Sequence, residues 1–568
     1  MKHKKYLTTA VKYLFALLLT FAGLKNFKYP GSLLLSMGEL FSVIFLSDVL
    51  LRKSKYFNVL NSILILLYNA QMLVLFFGGS FITLVMLQNL ASVQDLAGKL
   101  FIYSLGIILV LVFSFLPVKP TEYIGPLKTE KISLFAGLFL IIIRGILLFV
   151  FPGGETPLGG YIDLSGQYKD HRQLLKMVEL NTRQNDTETD VLLSTLSTEA
   201  DFSADEASQD TEEEKISGTI LVTNVEESPK NVAHPVINGN PNVILIFTEG
   251  LSQNIVSDER GIMPNVAKLE GTYLSFENYY NHTFATYRGI QGQLFSGHQL
   301  NDTDKNNLPS LMSVLKKRGY YTEMINTEPA NEMFTGYLRD LGFDECIEKE
   351  PPTENLLDAL TDAQAYDLLF DEAERLENDA TPFFLCIYTF GTHVSLDSPD
   401  HKFGDGENNV LNRFYNADMQ FGNFMDKLRE SGLDKDTLVV FTGDHATFSD
   451  EDYKKAFPEY ERACSDVDEV PLLFIFEGLS LQVDAAGRNS LDMAPTLLDL
   501  LGLTSPDSFM GTSLFEKELD NMAPDKYFWD PTYMKYTGND SVEDISGNTA
   551  SLIFSKIAKY LADKKVPQ

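Results

Sequence analysis

The sequence predicts two architectures in one chain: an N-terminal all-α polytopic membrane domain of about five helices, then an α/β domain with a largely parallel sheet covered by helices on both faces. Three observations predict it. Long apolar runs are confined to the first 152 residues; an acidic, Ser/Thr-rich stretch follows; and from about residue 240 short continuous apolar runs alternate with amphipathic segments. The boundaries read as 1–152 for the transmembrane domain, 153–238 for a juxtamembrane segment and linker, 239–520 for an extracytoplasmic catalytic domain and 521–568 for a C-terminal extension.

Five spans are read at about 10–25, 32–51, 57–79, 99–117 and 132–152, each near the ~20 residues needed to cross the hydrocarbon core. The run "FITLVML" at 81–87 is too short for a sixth. "MKHKK" before the first span lacks a clear small-x-small cleavage site after it, so the helix is read as uncleaved. Lys2, Lys4 and Lys5, then Arg52, Lys53 and Lys55, then Lys119, Lys128 and Lys131 mark three cytoplasmic segments. An odd number of spans then sends everything after Phe151 outside the cytoplasm, making this a multi-pass cell-membrane protein.

Residues 181–217 carry eleven acidic side chains against two basic ones and read as a solvated linker. A formal net charge of −32 argues against a nucleic-acid partner, which would require clustered lysines and arginines. Cys346, Cys386 and Cys464 form no close motif, which argues against a disulfide scaffold or a thiolate metal site, although one bridge is left open.

Strands are read at 242–250, 320–326, 382–393, 437–445 and 470–478. They are continuous in apolar residues rather than alternating, as in sheets buried on both faces. Segments 307–320, 360–378, 410–432 and 490–502 have helical spacing. Strand and helix in alternation give a parallel sheet whose ligands bind beyond the carboxyl ends of the strands. The polar residues fall there: Glu249 after the first strand, His393 after the third, Asp444 and His445 after the fourth. Singly, each has an ordinary reading as a turn former, cap or rim residue. Together, two carboxylates and an imidazole without cysteine suit a divalent metal held by oxygen and nitrogen, with a position left open to activate a side-chain alcohol. The candidate alcohol lies in "FENYYNHTFATYRGIQGQLFSG", residues 276–297.

The order "NVILIFTEG", "NHTFATYRGI", "TFGTH", "FTGDHA", "VPLLFIFEG", "DMAPTLLDLLG" and "MGTSLF" resembles the sulfatase and alkaline-phosphatase superfamily. Within it, the membrane-anchored phosphoglycerol and phosphoethanolamine transferases are the nearest match, and spans, linker and external domain follow the layout of lipoteichoic acid synthases. The resemblance implies Thr286 as nucleophile, with Thr283 and Thr248 as rival alcohols. It implies one divalent metal ion held by Glu249, Asp444, His445 and the Thr286 oxygen, manganese first, with magnesium or zinc as alternatives. His393 would bind the transferred phosphoryl group or assist the leaving group, and Arg288 would clamp phosphate oxygens or pair with an acid nearby; His282 and His298 are left as structural. The implied partners are the membrane, a phosphatidylglycerol-like phospholipid donor and an envelope glycan or teichoic-acid-like acceptor. Sulfatases proper carry Cys or Ser followed by x-Pro-x-Arg, and no such sequence surrounds Thr286. The alternatives are a phosphoethanolamine transferase, whose relatives usually carry paired disulfides, a phosphodiester hydrolase, and a non-catalytic envelope binding protein.

Overall fold

The computed structural model describes residues 6–25, 32–78 and 100–120, scattered positions in 81–87, 123–139 and 156–176, and residues 220–565 apart from 229–230, 301–304, 350–358, 380, 395, 518–522, 531–532, 540 and 546. The chain divides into two compact units, Met1–His171 and Arg172–Gln568.

Among the described residues of the first unit, three helices are long and apolar enough to cross a membrane: α1 (Leu7–Leu24), α2 (Ser32–Lys53) and α3 (Phe57–Gly78). A fourth, α4 (Leu100–Ser114), is apolar but only 15 residues long. The fifth expected span, 132–152, lies largely outside the described residues, and the acidic linker 181–217 wholly so. Several buried polar groups of this unit are bonded across its helices and loops. Lys12 Nζ donates to Ser62 Oγ and to the Leu116 carbonyl, both at 3.1 Å, and Glu39 accepts from the Leu158 amide at 2.8 Å. Such bonds join apolar helices where no hydrophobic gain does.

The second unit is built on eight strands: β1 (Asn242–Thr248), β2 (Leu274–Glu277), β3 (Tyr321–Asn326), β4 (Glu345–Glu348), β5 (Phe383–Thr389), β6 (Thr437–Gly443), β7 (Leu472–Ile475) and β8 (Gln482–Asp484). Their order across the sheet is β8-β2-β7-β6-β1-β5-β3-β4, and β7 alone runs against the rest. The continuous apolar runs are explained by burial on both sides. Val243, Leu245 and Phe247 of β1 enter one core cluster, while Ile244 and Ile246 enter the other. β2, β4 and β8 were not expected from the sequence. They are three or four residues long and carry exposed or partly exposed positions, too short for a period to register.

Three helices position the site. α5 (Thr286–Phe295) lies within the candidate nucleophile segment and begins at Thr286. α6 (Asp362–Glu377) starts at a capping box formed by Thr361 and Gln364. α7 (Asn409–Ser431) is capped by Asn408, which accepts from the amides of Val410 and Leu411, and stops at Gly432 (φ 83°). The C-terminal residues add a three-stranded sheet beginning with Tyr527–Asp530 and a helix, Gly547–Asp563. They pack on the second unit: the Trp529 amide donates to the His282 carbonyl at 2.9 Å. All three cysteines are described and all are free.

Candidate functional site

Strand register creates the site. Thr248 at the end of β1 pairs with Gly443 of β6 on one side and Thr389 of β5 on the other, so the residues that follow emerge side by side. Glu249 and Asp444 are therefore neighbours although 195 positions separate them in sequence, and the Asp444 amide donates to the Thr248 carbonyl at 3.2 Å. Asp444 Oδ1 accepts from the amides of Gly250 and His445, both at 2.8 Å, which fixes the carboxylate.

Glu249, Asp444 and His445 are all buried, and each offers a ligand atom within 4.8 Å of the others. A divalent cation fits them on two observations. Asp444 Oδ2 is buried without a hydrogen-bond partner. His445 Nδ1 lies 2.7 Å from the Ala446 carbonyl, which only accepts, so Nδ1 carries the proton and Nε2 is the lone-pair nitrogen of the neutral ring. That nitrogen lies 3.5 Å from Glu249 Oε1 and 3.6 Å from Asp444 Oδ2, too far for hydrogen bonds. Tetrahedral ligands about 2.1 Å from one ion stand roughly 3.4 Å apart.

The electrostatics point the same way. Burial pushes the Asp444 carboxyl far up, against the pull of His445 and with the push of Glu249. At Glu249 burial is outweighed by His445, His393 and the Tyr388 hydroxyl, and the carboxyl is held low. Burial opposes charge on His445, but Asp444 and Glu249 prevail and raise it, so without a cation the ring itself would supply positive charge to the two carboxylates; a bound cation would take that place and leave Nε2 as a lone-pair ligand. A buried pair of carboxylates calls for positive charge between them.

Thr286 stands at the open side of this cluster. Its Oγ1 donates to Glu249 Oε2 at 2.9 Å, and the residue is only half-buried. The rival hydroxyls of Thr283 and Thr248 are buried without a hydrogen-bond partner. Thr286 begins α5 directly after Ala285, whose backbone (φ 79°, ψ 156°) lies in a region that costs a non-glycine residue about 1–3 kcal/mol. Strain of this kind, next to a hydroxyl aimed at a carboxylate cluster, belongs to functional sites more than to ordinary turns.

α5 is held close by its glycines. A Cβ at Gly289 would collide with the Asp444 carbonyl oxygen, and one at Gly292 with the His282 ring. Gln293 Nε2 donates to the Gly443 carbonyl at 3.0 Å. Gly289→Ala is expected to lower stability by about 1–3 kcal/mol, because the obstacle is backbone that cannot turn away. Gly271→Ala, with nothing nearer than 3.7 Å, should change it by less than about 0.5 kcal/mol. Thermal unfolding of the two variants checks this.

His393 is half-buried on the loop after β5, stacked on Phe390 at 4.7 Å, with Nδ1 3.1 Å from the Val394 carbonyl and close enough to act on the charge of Glu249. Arg288 is not brought into the cluster. It is buried, and Nη1 donates to Asp530 Oδ2 at 3.3 Å, so of its two expected roles the geometry favours pairing with an acid. His282 and His298 lie buried beneath α5, His282 bonded to Ser490 Oγ at 2.6 Å, and burial depresses both. Two contributors went unread in the sequence. Tyr388 donates to Glu249 Oε2, and Thr392 Oγ1 donates to the Glu249 carbonyl at 2.6 Å. Both sit in "IYTFGTH", where a tyrosine inside an apolar strand carries no distinguishing signal.

Residues 241–503 match the Sulfatase family. The chain is 25% identical over 355 residues to lipoteichoic acid synthase 2 of Bacillus subtilis, covering 55% of this chain and 52% of that protein. It is 26% identical over 220 residues to phosphoglycerol transferase I of Escherichia coli, covering 35% of this chain and 27% of that protein. It thus spans about half the length, or less, of these relatives. The crystal structure of the lipoteichoic acid synthase LtaP from Listeria monocytogenes superposes with a TM-score of 0.47 at 19% identity, covering 57% of this chain and 91% of that one.

Proposed function

We propose, for a chain that carries a sulfatase-family domain over residues 241–503, that it is a membrane-bound transferase moving a phosphoglycerol group from a phosphatidylglycerol-like lipid to an acceptor of the cell envelope. The observation that carries this reading is the Thr286 hydroxyl, half-exposed and bonded to Glu249 at the edge of a buried Glu249, Asp444 and His445 cluster. The likeness to a lipoteichoic acid synthase and a phosphoglycerol transferase supports the class of reaction.

Glu249, Asp444, His445 and the Thr286 oxygen would hold one divalent cation, with manganese, magnesium or zinc as candidates. Bound there, the cation would lower the pKa of the hydroxyl and neutralise charge on phosphoryl oxygens. Thr286 Oγ attacks the lipid phosphorus; the new O–P bond replaces the bond to diacylglycerol, giving a phospho-threonine ester. The proton leaving Thr286 passes to Glu249 Oε2, to which the hydroxyl already donates, and the departing alkoxide takes a proton from Nε2 of His393 in its doubly protonated form. An acceptor hydroxyl then displaces threonine by the reverse sequence, restoring both protons. Anchoring by apolar helices would keep donor and site on one surface, with the second unit outside the cytoplasm. Three free cysteines give no support to the disulfide-bearing phosphoethanolamine class.

The test is diacylglycerol release from labelled phosphatidylglycerol by the full-length protein in detergent, with and without EDTA. The reading predicts release that EDTA abolishes and that added manganese, magnesium or zinc restores. Release indifferent to EDTA would refute the metal assignment, and no release with any of the three ions would refute the donor.

A further inference from the structure

Arg413 presents a problem that the proposed reaction does not use. It lies in the second turn of α7, with 3% of its surface exposed, and its Nε and Nη2 have no hydrogen-bond partner. Its one ring contact is with the adjacent Phe414, at 5.3 Å from the centroid. A guanidinium is charged at every accessible pH, and burying it unpaired is costly.

The acids around it are engaged elsewhere. Burial acts against the charge, and Asp450, Glu249 and Asp452 favour it, yet none pairs with it directly. Asp450 Oδ1 caps the helix Glu451–Ala456, accepting from the Asp452 and Tyr453 amides at 3.1 and 2.9 Å. Asp452 accepts from Lys455 Nζ at 3.1 Å, and Glu249 belongs to the cluster at Thr286.

The turn that carries Arg413 also braces the loop of His393. Asn412 Nδ2 donates to Asp397 Oδ1 at 3.0 Å, and Asn416 Nδ2 to Asp362 Oδ2 at 3.2 Å. Asp362 Oδ1 in turn accepts from the Gly391 amide, two residues before His393, at 3.1 Å. Arg413 is therefore fixed between the His393 loop and the segment after His445, within electrostatic reach of Glu249.

We propose that Arg413 is an anion-binding residue of this site, receiving the phosphate of a phosphate ester distinct from the group held at Thr286. A planar fork of donors suits two phosphate oxygens at once. The inference rests on the transferase reading for its choice of anion, since the proposed donor is a phosphate ester and a teichoic-acid-like acceptor would be another.

The test uses the full-length protein in detergent with EDTA, so that only cation-independent binding is read. The melting temperature is measured against sn-glycerol 3-phosphate, and separately in nanodiscs of phosphatidylglycerol or phosphatidylcholine. The wild-type melting temperature should rise with the soluble ester, or in phosphatidylglycerol over phosphatidylcholine; the first result assigns a soluble source, the second a lipid. Arg413→Gln should melt higher than wild type without ligand, because a buried unpaired charge is gone, and should lose the ligand response. Arg413→Lys should keep a reduced response. An unchanged response in Arg413→Gln, or none in wild type, overturns the proposal, as does an Arg413→Gln protein that melts lower while Arg413→Lys responds fully. Arg413-dependent binding without any diacylglycerol release would refute the transferase reading and leave the anion site standing. Release together with an unchanged Arg413→Gln response would do the reverse.

Discussion

Thr286→Ala loses diacylglycerol release by roughly a thousandfold or more, about 4 kcal/mol of barrier, while the protein keeps its fold and its bound metal. The expectation follows from the site. Thr286 contributes one hydrogen bond, at 2.9 Å to Glu249, on the open side of the cluster, and its side chain is only half-buried, so removing the hydroxyl disturbs little packing. A methyl group cannot attack phosphorus. Thr286→Ser keeps a measurable rate, since the hydroxyl survives and only the β-methyl that restricts its rotamers is lost. Thr283→Ala retains most activity, because the Thr283 hydroxyl makes no hydrogen bond and does not reach Glu249. Release of labelled diacylglycerol, with circular dichroism and metal content measured on the same samples, separates these outcomes. Wild-type turnover by Thr286→Ala would remove the covalent step.

Asp444→Ala has the second large effect, and on different quantities. Asp444 supplies Oδ2 to the cluster and also accepts two backbone amides through Oδ1, tying β6 to the segment after β1. The substitution removes a ligand and leaves the Gly250 and His445 amides without their acceptor, so it should abolish metal retention and cost about 1–3 kcal/mol of stability. Asp444→Asn, which keeps an acceptor oxygen but not the charge, should recover most of the stability and little of the metal. Elemental analysis after dialysis reads the first quantity and thermal unfolding the second. Stoichiometric metal in Asp444→Ala would show that the cation is held elsewhere.

The strands that build the site were legible in the sequence because burial on both faces makes them continuous apolar runs, and Glu249, His393 and Asp444 were legible as the polar residues ending them. Which of these converge was not, because convergence depends on register: Thr248 beside Gly443 and Thr389 is a property of pairing, not of spacing. β2, β4 and β8 escaped because three or four residues at the flanks of a sheet carry no period. Thr286 was preferred over Thr248 and Thr283 on the resemblance alone, and of the three hydroxyls it is the one bonded to Glu249. Arg288 read equally as a phosphate clamp or a paired arginine, and its acid, Asp530, lies 242 residues away in a C-terminal strand that the sequence did not mark. Arg413 was invisible for the opposite reason: an arginine on an amphipathic helix reads as solvent-exposed, and only the packing around α7 buries it.

The most direct test of the central claim is the mass of the peptide containing Thr286 after the full-length protein has met phosphatidylglycerol without an acceptor and been quenched in acid. The account predicts a glycerol phosphate group on Thr286, absent from Thr286→Ala and from samples treated with EDTA. An unmodified Thr286 in protein that has released diacylglycerol, or the group on another residue, would contradict it.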